Sequence, residues 1–324
     1  MSELLRISRL TVTLPTKTGP QKAVDRVNLS MDAGEILGVA GESGSGKTMT
    51  ALALLGLLPH GARATGSIRF DGTELIGLSQ RELRKFRGRR IAMVSQDPAT
   101  SLHPILPIRT QMTEHVRHHL GVSKSEAITR GVKLLADVRI PDPEQAMDAH
   151  AGQFSGGMRQ RIAIAVALAC EPELLLADEP TTALDVTVQA GILRLLDRLR
   201  REKGLAVMVI THDLGVMSSV ADRMSVMYGG RVVESGTRRD LLSRPRPPYT
   251  RGLLDALPHP GTTATALRPI PGSPPSLGAI PSGCAFHPRC PFAEPSCAES
   301  VPGLVSIGSG HDLACPIDPL DESS

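Results

Sequence analysis

The chain has 324 residues, a net charge of +3 and an apolar fraction of 41%, yet aromatics supply only 2% and Trp is absent. Such a length accommodates one large domain and a smaller one, and the core must be aliphatic, which suits a parallel sheet covered by helices on both faces. The charge excess is too small to argue for nucleic acid. The densest basic run, Arg81 to Arg90 with six Arg or Lys, reads as a solvated helix face rather than a phosphate-binding stripe.

Glu3 and Arg6 interrupt any apolar region near the start, so no signal peptide is expected. The apolar runs Ala51–Leu58 and Ile162–Cys170 are far too short for a membrane span. The expectation is a cytosolic protein, or one held at a membrane by its partners.

In chain order, residues 3–14 and 23–31 alternate imperfectly between polar and apolar and predict two strands of a small antiparallel layer. Glu35–Ala40 predicts a short buried strand, and Met49–Leu58, rich in Ala and Leu, predicts a helix. Ser67–Phe70 with Asp71-Gly72 reads as a strand and turn. Ile91–Ser95 reads as a buried strand ending on Gln96. From residue 97 to about 170 the apolar spacing is helical between breakers such as Pro104, Pro107, Gly121, Pro141 and Pro143, which predicts a mostly helical insertion closing with a helix over Met158–Cys170. Leu174–Ala177 is a strand ending in Asp178-Glu179-Pro180, and Val188–Arg201 is an amphipathic helix. Leu205–Ile210 is a strand closing on Thr211-His212-Asp213, and Met224–Val233 predicts two strands turning at Gly229-Gly230. Strands alternating with helices define an α/β domain with a mainly parallel sheet. Past residue 240 prolines multiply, and little regular structure is expected there.

Between the strand at 35–40 and its helix lies Gly41-Glu42-Ser43-Gly44-Ser45-Gly46-Lys47-Thr48, which fits G-x-x-x-x-G-K-[ST] without a mismatch. Glycines let such a chain wrap with its N–H groups inward, and the helix start adds positive potential for phosphate oxygens. Lys47 is placed to reach the β- and γ-phosphates and the Thr48 hydroxyl to ligate Mg²⁺, with Met49 next in line. Ligands in such sheets gather at the carboxyl ends of strands, where Gln96, Asp178, Glu179 and His212 stand. Neighbouring residues at a strand end point to opposite faces. Asp178 then serves the Mg²⁺ shell, while Glu179 polarises the water that attacks the γ-phosphorus. His212 contacts the γ-phosphate.

Gly41–Thr48, Gln96, Phe154-Ser155-Gly156-Gly157-Met158, Leu174–Glu179, Ala183-Leu184-Asp185 and His212 resemble, in order, the phosphate loop, Q-loop, signature, Walker B strand, D-loop and H-switch of ABC-transporter ATPases. The resemblance covers roughly residues 3–240. It implies a P-loop NTPase cassette with a mainly parallel RecA-like sheet, an antiparallel β layer and a helical subdomain. It also implies ATP and Mg²⁺, the ion held through Thr48, Gln96 and Asp178. Ser155, Gly156 and Gly157 are implied to face the γ-phosphate held by a second cassette, with Asp185 in the D-loop. Two departures stand out: Phe154 and Met158 flank the Ser-Gly-Gly where the generic signature has Leu and Gln, and Leu14 occupies the place of the usual adenine-stacking aromatic.

Residues 96–104, 247–254 and 271–275 narrow the resemblance to the ATPase subunits of bacterial dipeptide and oligopeptide importers, a group that also serves nickel and other small solutes. That resemblance implies a second, related ATPase subunit, two transmembrane permease subunits and an external solute-binding protein, at the cytoplasmic face of a bacterial membrane. Residues 1–240 are expected to form the nucleotide-binding domain and 241–324 a Pro-rich, Cys-containing C-terminal extension. Cys284, Cys290, Cys297 and Cys315 follow C-x5-C-x6-C-x17-C. A cytosolic setting argues against disulfides, which leaves a metal centre or four idle thiols. The knuckles usual in zinc sites do not occur. Cys290-Pro291 and Cys315-Pro316 resemble cysteine–proline pairs of iron–sulfur proteins, and some importer subunits carry a [4Fe–4S] cluster in a similar tail, so a cluster on these four thiols is expected. The rivals are a soluble non-transport ABC ATPase, which normally carries two cassettes in one chain, long coiled coils or zinc inserts, and a metabolic kinase, which leaves Ser155-Gly156-Gly157 unexplained.

Overall fold

A computed structural model describes residues 2–95, 101–181, 185–257, 269–308 and 310–317. The chain forms two compact units. One comprises Met1–Asp32, Leu37–Gly77 and Thr211–Ser324, and the other Ala33–Ile36 and Leu78–Ile210.

In the first unit, β1 (Glu3–Thr16) and β2 (Gly19–Asp32) precede β3 (Ile36–Ala40), β4 (Arg63–Phe70) and β5 (Thr73–Glu74). An antiparallel sheet runs β2-β1-β4-β5. The imperfect alternation of residues 3–14 has a structural cause: the register slips between Ile7 and Leu10, where Arg9 adopts φ 47°. A bulge there lets Leu5, Ile7, Leu10 and Val12 all reach the core. β3 is buried at all five positions and leads through the glycine-rich loop into helix Lys47–Leu55. That helix ends three residues before the sequence-based boundary because Gly56, at φ 61°, makes a left-handed cap whose N–H bonds Ala53 O.

β3 pairs parallel with β9 (Arg223–Tyr228), which pairs antiparallel with β10 (Arg231–Thr237). Their turn is Gly229-Gly230, with φ 54° and 82°; tight hairpins of this hand need positive φ at both positions. The tail is more regular than its prolines suggest. Helix Pro248–Asp255 starts with proline at its first turn, the one place in a helix where the missing N–H costs nothing. β11 (Val305–Gly308) and β12 (His311–Leu313) then add an antiparallel pair onto β10. The expectation of sparse regular structure past residue 240 is therefore corrected for the described part of the tail.

In the second unit, β6 (Ile91–Val94), β7 (Leu174–Asp178) and β8 (Ala206–Thr211) are parallel in the order β8-β7-β6. Every residue of β7 and β8 is buried, as strands covered on both faces require. The predicted helical insertion is present as helices Ile108–Leu120, Lys124–Asp137, Pro143–Asp148 and Gly156–Leu168. The basic run is helical only over Gln80–Leu83, and its last member, Arg90, makes a two-pronged ion pair with Glu173 at 2.5 and 2.8 Å.

Leu176 in β7 is fully buried. Leu176→Ala should lower unfolding stability by about 2–5 kcal/mol in a urea titration; a loss below about 1 kcal/mol, typical of surface sites, would place Leu176 outside the core.

Candidate nucleotide site

The loop 41–48 has the backbone that its glycines license. Gly41, Gly44 and Gly46 take φ of 146°, 78° and 102°. A Cβ on Gly41 would strike the Met227 carbonyl oxygen, and one on Gly46 would lie 2.7 Å from Ala23 O. Helix Lys47–Leu55 opens with no side-chain cap and no acid in its first turn, so its positive end is left for an anionic ligand. Ser43, Gly44 and Thr48 are exposed and Met49 is half-buried. Lys47 is buried and turned back on the loop, its Nζ donating to Gly41 O at 2.6 Å, Glu42 O at 2.9 Å and Ser45 Oγ at 3.3 Å. The ammonium is thus held at the loop's centre by weak acceptors that phosphate oxygens out-compete.

Asp178 closes β7 and is 5% exposed. Glu179 follows half-exposed, with φ 47° and its N–H bonded to Ile210 O at 2.7 Å. A left-handed Glu costs free energy and concentrates at functional positions. His212 is exposed just past β8. After it comes helix Leu214–Val220, which the sequence reading missed, although Asp213 marks it by capping Gly215 and Val216 N–H. Thr48 and Asp178 offer the hard oxygen donors that Mg²⁺ takes. Gln96, Ala183 and Leu184 lie outside the described residues.

Ser155 is exposed and caps helix Gly156–Leu168, its Oγ accepting Met158 N–H at 3.4 Å. Gly157 is small for a packing reason as well: a Cβ there would lie 2.5 Å from Val188 Cγ1. Asp185 is exposed and caps helix Val186–Lys203 by accepting Val188 N–H at 2.9 Å. Two further residues beside the loop carried no sequence signal for that position. The Tyr249 hydroxyl accepts the Glu42 N–H at 2.9 Å, and Arg289 pairs with the Glu42 carboxylate.

The four tail cysteines are free, with Cys297 buried and the others half-buried. They are neighbours: Cys284 N–H bonds Cys297 O at 2.7 Å, and Cys315 lies within electrostatic reach of the other three. Burial raises the Cys284 and Cys290 thiols and lifts Cys315 to about 11, nearby cysteines adding to each shift. The expected iron–sulfur site gains no support from the geometry, however: among the described residues no group of three or more His, Cys, Asp or Glu is arranged to hold a metal ion. The Cys315 thiol donates instead to Ile317 O at 3.0 Å.

The fold and loop are those of an ATP-binding cassette. The ABC transporter family model matches residues 24–182, and the model for the oligopeptide/dipeptide transporter C-terminal region matches 233–297. The chain is 46% identical to the oligopeptide transport ATP-binding protein OppD of Salmonella typhimurium, over 98% of this chain and 95% of the relative. It is 44% identical to the dipeptide transport ATP-binding protein DppD of Bacillus subtilis, over 97% and 95%. The dimeric post-hydrolysis structure of the cassette MJ0796, bound to ADP and Pi, superposes with a TM-score of 0.65 at 30% identity, covering 73% of this chain and 99% of that one. The chain belongs to the ATP-binding proteins of ABC transporters, in the branch that carries the oligopeptide/dipeptide transporter C-terminal region. It is an ABC ATPase, for which ATP and Mg²⁺ are the expected ligands.

Gly46→Ala should weaken ATP binding at least tenfold, on the order of the 1–3 kcal/mol that a strained backbone position costs, as read by titration with a fluorescent ATP analogue. Parental affinity would show that the loop tolerates a Cβ against Ala23.

Proposed function

We propose that the chain powers the import of di- and oligopeptides across a bacterial cytoplasmic membrane, working at its cytoplasmic face with a second, related ATPase subunit, two permease subunits and an external solute-binding protein. The match of residues 233–297 to the oligopeptide/dipeptide transporter C-terminal region carries this reading, and the names of relatives similar over nearly the whole chain support it. Among the described residues no helix is long and apolar enough to cross a membrane, and in this reading the permease subunits supply the channel. We assign residues 1–240 to the nucleotide-binding domain and 241–324 to the extension.

In this reading the 41–48 loop wraps the phosphates, with Lys47 on the β- and γ-phosphates and Met49 behind it. Thr48, Gln96 and Asp178 would hold Mg²⁺, which when bound would neutralise phosphate charge. Glu179 takes the proton of the attacking water as charge moves onto the β-phosphate oxygen. His212 steadies the γ-phosphate. The Ser155-Gly156-Gly157 helix start and Asp185 act on ATP held by the other subunit; the exposure of Ser155 supports that role. Closure on ATP and reopening after hydrolysis drive transport.

Glu179→Gln should retain ATP binding and lower kcat at least 100-fold, the lower range for a lost general base, measured as phosphate release by the membrane-reconstituted complex. Normal turnover would refute the assignment. Affinity purification from membranes should recover a different cassette and two permeases, and uptake should follow peptides; nickel uptake without peptide uptake, or recovery of ribosomes instead, would overturn the proposal. As a finer reading, Cys284, Cys290, Cys297 and Cys315 hold a [4Fe–4S] cluster, a reading that rests on the resemblance of Cys290-Pro291 and Cys315-Pro316 to the cysteine–proline pairs of iron–sulfur proteins. Anaerobically purified protein should then contain iron and acid-labile sulfide in equal amounts, and iron-free protein at full ATPase activity would dismiss it.

A further inference from the structure

Both tyrosines of a chain that has two Tyr, five Phe and no Trp meet beside the phosphate loop. Tyr228, Tyr249 and Phe286 stack edge-on and tilted, with centroids 4.5, 5.1 and 5.3 Å apart. Over them lies the guanidinium of Arg289, 5.9 Å from the Tyr228 ring and 5.8 Å from Phe286. The Arg289 side chain is only 8% exposed. It donates to both oxygens of Glu42 at 2.7 and 3.0 Å, to the Tyr228 hydroxyl at 3.1 Å and to Pro271 O at 2.8 Å.

Glu42 is therefore fixed from three sides. The tail grips its N–H through Tyr249 and its carboxylate through Arg289, while Lys47 holds its carbonyl. The two outer grips come from residues 207 and 247 positions away. Glu42 is also an acid inside a loop built for polyanions. Left uncompensated, its charge would oppose a triphosphate; a desolvated guanidinium in fork geometry cancels it far better than solvent does.

We propose that Arg289 and Tyr249 are positioning residues for the phosphate loop, through which the C-terminal extension sets the affinity for nucleoside triphosphate by fixing Glu42 and neutralising its carboxylate. The coupling is reciprocal: a tail that favours nucleotide is itself steadied by nucleotide. This rests on the reading that the triphosphate sits in the 41–48 loop.

The test is a titration of full-length protein with a fluorescent ATP analogue and Mg²⁺. Lys47→Ala checks the underlying reading, since undiminished binding there would show that the nucleotide sits elsewhere. With Lys47→Ala impaired, Arg289→Ala should weaken binding on the order of fivefold or more, the usual range of coupling between sites. The double variant Glu42→Gln/Arg289→Ala should recover most of that loss, because the uncompensated charge is gone; a purely structural contact predicts no recovery. Parental affinity in Arg289→Ala, or a double variant as weak as the single, overturns the proposal. Should Arg289→Ala not fold, Tyr249→Phe removes one oxygen and keeps the ring, and parental affinity in that variant overturns it equally. Amide exchange across 284–300 should slow when ATP is added, and unchanged exchange counts against the reciprocal coupling.

Discussion

Backbone crowding around the phosphate loop is the constraint on which the rest of the molecule depends. Gly41 lies against the Met227 carbonyl and Gly46 against Ala23 and Gly230. The loop is tied to the hairpin by Gly230 N–H donating to Ser45 O at 3.1 Å, and the hairpin in turn to β2 by Asp25 N–H donating to Gly230 O at 2.8 Å. Its shape is thus imposed by β2 and by the β9–β10 hairpin as much as by its own residues. The glycines serve close approach, and the Gly229-Gly230 turn belongs to the nucleotide site although it contains none of the motif. An arrangement this tight holds N–H groups in place before an anion arrives, which is where such a loop gains its affinity.

At the end of β7 the backbone replaces a simpler account. Strict alternation would put Asp178 and Glu179 on opposite faces of an extended strand. Asp178 is indeed buried and Glu179 half-exposed, but the separation comes from Glu179 leaving the strand in a left-handed conformation while its N–H still bonds Ile210 O. A flexible end would let the carboxylate swing. A residue locked in a costly conformation by its neighbour strand restricts where its carboxylate can go, as the proton transfer proposed for it would require.

Much of this was legible in the sequence because it is local. Short apolar runs gave β3, β7 and β8, and the loop motif is contiguous. The insertion's helices follow from their spacing. What escaped is either conformational or distant. Arg9 gives no sign of a bulge, and the prolines of the tail hide a helix that begins on one of them. Nothing in residues 247–254 says that Tyr249 touches Glu42, because a contact across 207 residues has no local signature. The cysteines mark the middle ground. Their spacing left a metal centre or four idle thiols open, because ligation needs four sulfurs aimed at one centre, and that depends on side-chain direction that a spacing does not encode.

The signature region is a helix start whose hydroxyl is exposed and only partly used within the chain. Ser155 stands exposed at a helix start, and its bond to Met158 N–H is long at 3.4 Å, which leaves the hydroxyl's proton and a second lone pair for another acceptor or donor. Gly156 and Gly157, both half-buried, bring backbone without side chains to the same end. The tight packing of Gly157 on Val188 fixes that end against helix Val186–Lys203, whose own cap is Asp185. Ser155-Gly156-Gly157 and Asp185 therefore meet at one packed corner, set by a glycine with no room for a methyl group. Met158 has no amide to compete for a phosphate, so the anion-attracting elements of the corner are the hydroxyl, the glycine backbone and the helix end. In the proposed transporter, the ligand of this exposed corner is ATP brought by a sibling cassette.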